Sequence, residues 1–274
     1  MKPLITFFFL TFAGTWTFWL AASLAGSPSG PSELLLLPGT IMPAVVALWL
    51  TRRAEGPAGT RALLDRLFAW RVNARWYVFA IGYLAAIKLV VALVHRLAMG
   101  AWPRFGAEGP IVIIVAIVLS TPVQAGEETG WRGYALPRMV ERFGLGWSSI
   151  LLGVIWAAWH LPLFLLPGPD KAGQSFPIYL LGVTALSVAI AWLYAQTKGS
   201  VFLTMLMHAA INNTTSIVPG AGADAPGVFS LKASPVGWLS LLLMWICAGY
   251  FLLRMPKLDV NFVSRRPKSE EGRT

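Results

Sequence analysis

Cys247 is the only cysteine in the chain, which excludes a disulfide framework and any multi-cysteine metal site within one molecule. Charge is also scarce. Only 12% of residues are Asp, Glu, Lys or Arg, 56% are hydrophobic, and mean hydropathy is +0.64, which sets the chain outside the balance of a soluble domain. Three histidines occur in the whole sequence, and no His-Glu-x-x-His zinc motif is among them. There is no internal repeat, no low-complexity tract and no segment composed like a soluble second domain.

What the sequence does contain is a succession of long apolar runs. Eight candidate helices span about 5–25, 34–50, 77–99, 111–136, 147–166, 177–197, 200–217 and 236–254. The expected fold is therefore an all-α polytopic membrane bundle of about eight transmembrane helices. Thirteen Trp and fifteen Phe fit interfacial belts and lipid-facing surfaces. Pro38, Pro43 and Pro162 fall inside spans, which bundles tolerate when neighbours satisfy the freed carbonyls.

The net charge of +10 invites a nucleic-acid reading, but its distribution marks membrane orientation instead. With the N-terminus inside, the inward segments carry Lys2, Arg52, Arg53, Arg61, Arg66, Arg71 and Arg75. They also carry Arg138, Arg142, Lys198, Arg254, Lys257, Arg265, Arg266, Lys268 and Arg273. The outward loops hold Arg104, Lys171 and Lys232, so the bias is sixteen against three. Both termini are expected in the cytoplasm, and the setting is expected to be a prokaryotic cytoplasmic membrane. Residues 1–25 resemble a signal peptide in having Lys2 and an end at Ser23-Leu24-Ala25. The apolar run is long for that role, so a retained helix is expected. Residues 52–75 read either as an amphipathic helix on the inner leaflet or as a solvated basic loop. One membrane-embedded domain, 1–258, is expected, followed by a charged cytoplasmic tail, 259–274.

Against this apolar background stands a small polar set. Glu127 and Glu128 close an apolar stretch and are followed by Arg132, while His160 and His208 also lie in apolar segments. Ionisable residues at membrane depth point to function. Successive helical residues are about 100° apart, so the two acids face different partners. Glu128 and Arg132 are i, i+4 neighbours able to pair, leaving Glu127 to project into a cavity as a general base or acid. Pro162 follows His160 and cannot donate to the carbonyl of Ala158, so the helix should loosen there. His208 and Asn212 share a face and offer two neutral donors of the kind found in oxyanion holes. Taken singly, each has a plainer explanation: a charged helix end, a histidine bonded to backbone, or polar glue between helices. His95 has no assigned role. Lys88, mid-span, reads equally as facing a wet cavity, pairing with an acid or snorkelling.

Glu127-Glu128-x-x-x-Arg132, the isolated His160 and His208-x-x-x-Asn212 resemble the three motifs of the CAAX-protease and bacteriocin-processing family of intramembrane endopeptidases. The resemblance covers roughly 111–215. Its second motif departs from the family, which often has Phe four residues before the histidine where this chain has Trp156. The resemblance implies hydrolysis of a peptide bond in a peptide or membrane-protein substrate. Glu127, helped by His160, would activate water, His208 and Asn212 would stabilise the oxyanion, and Glu128 with Arg132 would brace the site. No cofactor is required in that scheme. Zinc held by Glu127, His160 and His208 is the alternative. A non-catalytic immunity or scaffold protein and a transporter are the other function classes. Prenylated C-terminal peptides are the family's best-known substrates, but the Ala/Gly/Arg-rich composition argues for a different one. Oligomeric state is not legible.

Depth poses a geometric question. In an upright bundle Glu127 would lie about 24 Å from the outer end of its span and His160 about 20 Å from the inner end of the next. Across a bilayer of about 30 Å they would miss by about 14 Å. A dip of segment 137–146 into the membrane, with Pro137, Met139, Val140, Phe143 and Leu145 as an embedded turn, is expected to close that gap.

Overall fold

The computed structural model describes residues 2–25, 31–166, 171, 174–220 and 227–258. The charged tail 259–274 lies outside the described residues. All regular structure among the described residues is helical. The main elements are α1 (Lys2–Leu24), α2 (Pro31–Leu67), α3 (Ala74–Met99), α4 (Pro110–Ser120), α5 (Ala125–Glu128) and α6 (Leu136–Trp159). They continue with α7 (Pro162–Leu165), α8 (Phe176–Gln196), α9 (Val201–Thr214) and α10 (Pro235–Arg254). A 3₁₀ turn, Thr121–Gln124, precedes α5, and a π-helical segment, Thr129–Ala135, follows it.

Five stretches among the described residues are long and apolar enough to cross a membrane: Lys2–Leu24, Ala74–Met99, Pro110–Leu165, Phe176–Gln196 and Pro235–Lys257. They cover six of the eight expected segments, because the 56-residue stretch Pro110–Leu165 folds back on itself at Gly144. The segments at 34–50 and 200–217 fall on α2 and α9, outside the five. α9 has only 14 residues, yet most of its side chains are buried. A helix buried on most of its circumference belongs in the core, and α9 packs against α3, α4, α5 and α8.

Local chemistry explains the element ends. Asn73 accepts from the N–H of Arg75 at the start of α3, and Gly100, at φ 71°, ends it. Ser175, Ser200 and Ser234 cap α8, α9 and α10 by accepting N–H bonds from Ile178, Leu203 and Gly237, the usual way to satisfy the first orphan donors of a helix. Pro43 cannot donate to the carbonyl of Gly39, and the Thr15 hydroxyl from α1 fills that gap at 2.7 Å. α2 kinks at Gly56 and carries its basic, half-amphipathic limb to Leu67. In that limb Leu63 is buried while Leu64 is exposed, as are Phe68 and Trp70 just beyond it.

The chain turns at Gly144, inside the segment 137–146 where the sequence predicts a turn; α6 stays helical up to it and breaks at Gly144, whose φ of 68° and ψ of 167° suit glycine. Pro137, Met139, Val140 and Leu145 are buried as an embedded turn requires, while Phe143 is exposed. Pro137 is accommodated because it lies in the first turn of α6, where a missing N–H is tolerated. Glu127 stands 17 residues before Gly144 and His160 stands 16 after it. At 1.5 Å per residue both are about 25 Å from the turn, hence level with each other.

Lys88 pairs with no carboxylate among the described residues. Its ammonium donates to the carbonyl of Val218 at 3.0 Å and to the Ser240 hydroxyl at 3.3 Å, tying α3 to α10 and to the chain beyond α9. His95 Nδ1 lies 3.0 Å from the carbonyl of Ala101.

Close approach of α2 to the acidic segment depends on two glycines. A Cβ on Gly126 would come within 3.0 Å of Ile41 Cγ2, and one on Gly130 within 2.5 Å of Pro43 Cβ and 2.7 Å of its carbonyl carbon. Small residues four apart allow this approach and turn the following acids away from α2. Gly130→Ala is expected to lower stability by about 1–3 kcal/mol through overpacking. Gly82→Ala, whose Cβ meets nothing within 4 Å, should be neutral or slightly stabilising. Thermal unfolding in detergent checks both.

Candidate active site

Three helical units converge on one cluster. The α5–π segment supplies Glu127, Glu128 and Arg132, the end of α6 supplies Trp156 and His160, and α9 supplies His208. All six side chains are buried. The π segment is the local device at this point: its wider turns are uncommon and recur at functional sites.

Glu128 and Arg132 form the expected pair. Arg132 Nη1 donates to Glu128 Oε1 at 2.8 Å, and both side chains are 0% exposed. The same carboxylate oxygen accepts from His208 Nδ1 at 3.0 Å. Arg132 Nη2 reaches the Ser187 hydroxyl at 3.4 Å, and Ser187 in turn donates to the carbonyl of Ser149 at 2.9 Å. Burial of two charges is favourable only with such mutual and additional bonding. Glu128 Oε2 and Arg132 Nε have no hydrogen-bond partner among the described residues.

Glu127 points elsewhere. Its Oε2 accepts the indole N–H of Trp156 at 2.8 Å, and Arg132, Glu128 and His208 are its ionisable neighbours. Trp156 is four residues before His160, with ring centroids 6.0 Å apart. His160 Nδ1 lies 2.9 Å from the carbonyl of Trp156. A carbonyl only accepts, so Nδ1 carries the proton and Nε2 of the neutral ring keeps its lone pair. Trp19, Trp159 and Tyr179 surround the imidazole, at centroid distances of 6.2, 4.6 and 5.5 Å. His160 caps the end of α6 at the break before Pro162, as the sequence implied, and the carbonyl of Ala158 is taken by the N–H of Leu161 at 3.1 Å.

His208 departs from the neutral-donor expectation. With Nδ1–H directed at Glu128, the neutral ring offers Nε2 as an acceptor. It becomes a donor there only on taking a second proton. Asn212, one turn further on, is exposed and has no side-chain hydrogen bond among the described residues. Its neighbour Asn213 instead donates to the Ser120 hydroxyl at 3.0 Å and to the carbonyl of Ala209 at 2.8 Å.

A zinc ion would require Glu127, His160 and His208 to converge as ligands. Among the described residues no three His, Cys, Asp or Glu side chains are arranged to hold a metal ion. With Glu127 Oε2 and His208 Nδ1 engaged, a metal ion would have to be held by Glu127 Oε1 and by Nε2 of His160 and His208.

Two contacts were not legible beforehand. Ser187 sits in an apolar run with no signal of its role. The indole bond of Trp156 had a faint one, a tryptophan where the resembled motif often has phenylalanine.

Residues 107–214 match the family model described as type II CAAX prenyl endopeptidase Rce1-like. The chain is also similar to CAAX prenyl protease 2 of Methanococcus maripaludis, 24% identical over 225 residues, which covers 75% of this chain and 81% of the relative. Every residue of the cluster lies inside the matched segment.

Removing one member of the buried pair should be far worse than removing its charge altogether. Arg132→Met is expected to lower stability by about 3–5 kcal/mol, because Glu128 loses its principal cation in a dry interior. Glu128→Gln combined with Arg132→Met should recover much of that loss. Thermal unfolding of the single and double variants in detergent decides.

Proposed function

Because the chain belongs to the CAAX-protease and bacteriocin-processing family, we propose that it is an intramembrane endopeptidase in which Glu127 is the general base. The observation that carries this reading is the meeting of Glu127, His160 and His208 around Trp156. Three ionisable groups from separate parts of the chain occupy one buried cluster, although each would be cheaper in water. A transporter reading lacks comparable support: among the described residues the helix breaks at Gly56 and Gly144 form no symmetric pair.

In the proposed reaction, Glu127 takes a proton from a water molecule, with the Nε2 lone pair of His160 orienting that water. The hydroxide adds to the carbonyl carbon of the scissile amide. Negative charge develops on the carbonyl oxygen, where protonated His208 and the exposed Asn212 amide donate. The proton held by Glu127 passes to the amide nitrogen as the C–N bond breaks, leaving an amine and a carboxylic acid. Glu128 and Arg132 hold His208 and the π segment in place. No metal enters this scheme. General-base and oxyanion contributions of about 10²–10⁴-fold and 10²–10³-fold complement one another, and neither suffices alone.

The same reading extends to architecture. The eight helical segments form a single membrane-embedded domain with its catalytic core at about 111–215. Both termini lie in the cytoplasm of a prokaryotic cell, and the substrate is a peptide or membrane protein. The printed name of the Methanococcus relative makes a farnesylated CAAX peptide the first probe, with the unmodified peptide beside it.

Cleavage of a fluorogenic probe by detergent-purified protein tests the chemistry. Glu127→Gln should reduce kcat by at least about 10²-fold, and Asn212→Ala by about 10²–10³-fold. Wild-type activity should survive 1,10-phenanthroline. Activity lost on chelation and restored by zinc would contradict the metal-free scheme.

A further inference from the structure

We infer that Trp156 is a positioning residue for Glu127, using its indole N–H to hold the carboxylate in the orientation that activates water; this rests on the endopeptidase reading above. The tryptophan sits at the centre of the cluster. Its N–H donates to Glu127 Oε2 at 2.8 Å, the Arg132 guanidinium lies 4.5 Å over its ring, and His208 meets it edge-on at 5.0 Å. Its own carbonyl fixes the ring of His160 at 2.9 Å. One residue therefore touches the base, the histidine beside it, the oxyanion histidine and the bracing arginine.

The bond constrains Glu127 in a specific way. With Oε2 engaged, Oε1 has no hydrogen-bond partner among the described residues, so that oxygen is the one available to water. A competing position lies close by. Arg132 is a charged neighbour of Glu127, and its Nε–H has no partner among the described residues. Without the indole, the carboxylate is free to turn toward that guanidinium, forming a second ion pair and withdrawing the base from the water it would activate. Phenylalanine would preserve the aromatic wall against His208 and Arg132 but supplies no donor. Tryptophan here is thus a chemical difference, not merely a larger ring.

The experiment compares wild type with Trp156→Phe and with a protein carrying benzothienylalanine at position 156, which keeps the indole shape and lacks the N–H. The probe is the fluorogenic farnesylated CAAX peptide, cleaved by detergent-purified full-length protein. Both changes should lower kcat about 10- to 100-fold, as loss of a hydrogen bond to a charged group implies, with KM within twofold of wild type. Ultraviolet resonance Raman spectra give a readout independent of turnover. The hydrogen-bonded indole signal that disappears in Trp156→Phe should also shift to a non-bonded position in Glu127→Ala. Benzothienylalanine with wild-type kcat, a loss confined to KM, or an indole signal unchanged in Glu127→Ala would each overturn the assignment. An active wild type with any of those results removes the role of Trp156 alone. A wild type that cleaves no peptide removes the endopeptidase reading and this role together.

Discussion

The ion pair between Glu128 and Arg132 is the constraint on which the site depends. Two full charges with 0% side-chain exposure, 2.8 Å apart, cannot be separated in a dry interior without leaving one of them unpaired. The pair does more than cancel its own cost. Glu128 also holds His208 on α9, and Arg132 reaches Ser187 on α8 and lies over Trp156 on α6. A single buried interaction thereby fixes the relative placement of the helices that carry the chemistry. It also leaves the adjacent carboxylate, Glu127, with a different partner and a different role.

Backbone irregularity brings these side chains together at little energetic cost. The acids lie between a 3₁₀ turn and a π segment, and Gly126 and Gly130 let α2 close behind them. Gly144 places the hairpin turn equidistant from Glu127 and His160. Proline is used where a neighbour can supply what it removes: Thr15 satisfies the carbonyl opposite Pro43, and Leu161 N–H takes the Ala158 carbonyl at the break before Pro162, where α6 ends beside His160. None of these features is apolar packing in the ordinary sense. Each exchanges regular helix for the placement of a polar group.

Much of this was legible in the residues. The apolar runs marked the helices, and the i, i+4 spacing of Glu128 and Arg132 marked their pairing, because both signals are local. The turn was legible to within a segment, 137–146, but not its residue: an apolar tally ends the fourth segment near residue 136, while the helix continues past Pro137 to Gly144. α9 shows why hydropathy and burial diverge, since its 14 residues are too few to register as a span yet form the centre of the bundle. The tautomer of His208 depends on a partner 80 residues away in sequence, and the indole bond to Glu127 joins residues 29 apart. Such contacts are written in three-dimensional placement and leave almost no periodic trace.

Similarity to the CAAX prenyl endopeptidases and the buried cluster together support the proposed endopeptidase chemistry centred on Glu127. The most direct measurement compares the membrane peptidome of cells carrying the wild-type protein with that of cells carrying Glu127→Gln at equal abundance. Catalysis by Glu127 predicts cleavage products present in the first and absent from the second, with the corresponding intact precursors accumulating. Identical peptidomes, with no product dependent on Glu127, would contradict it.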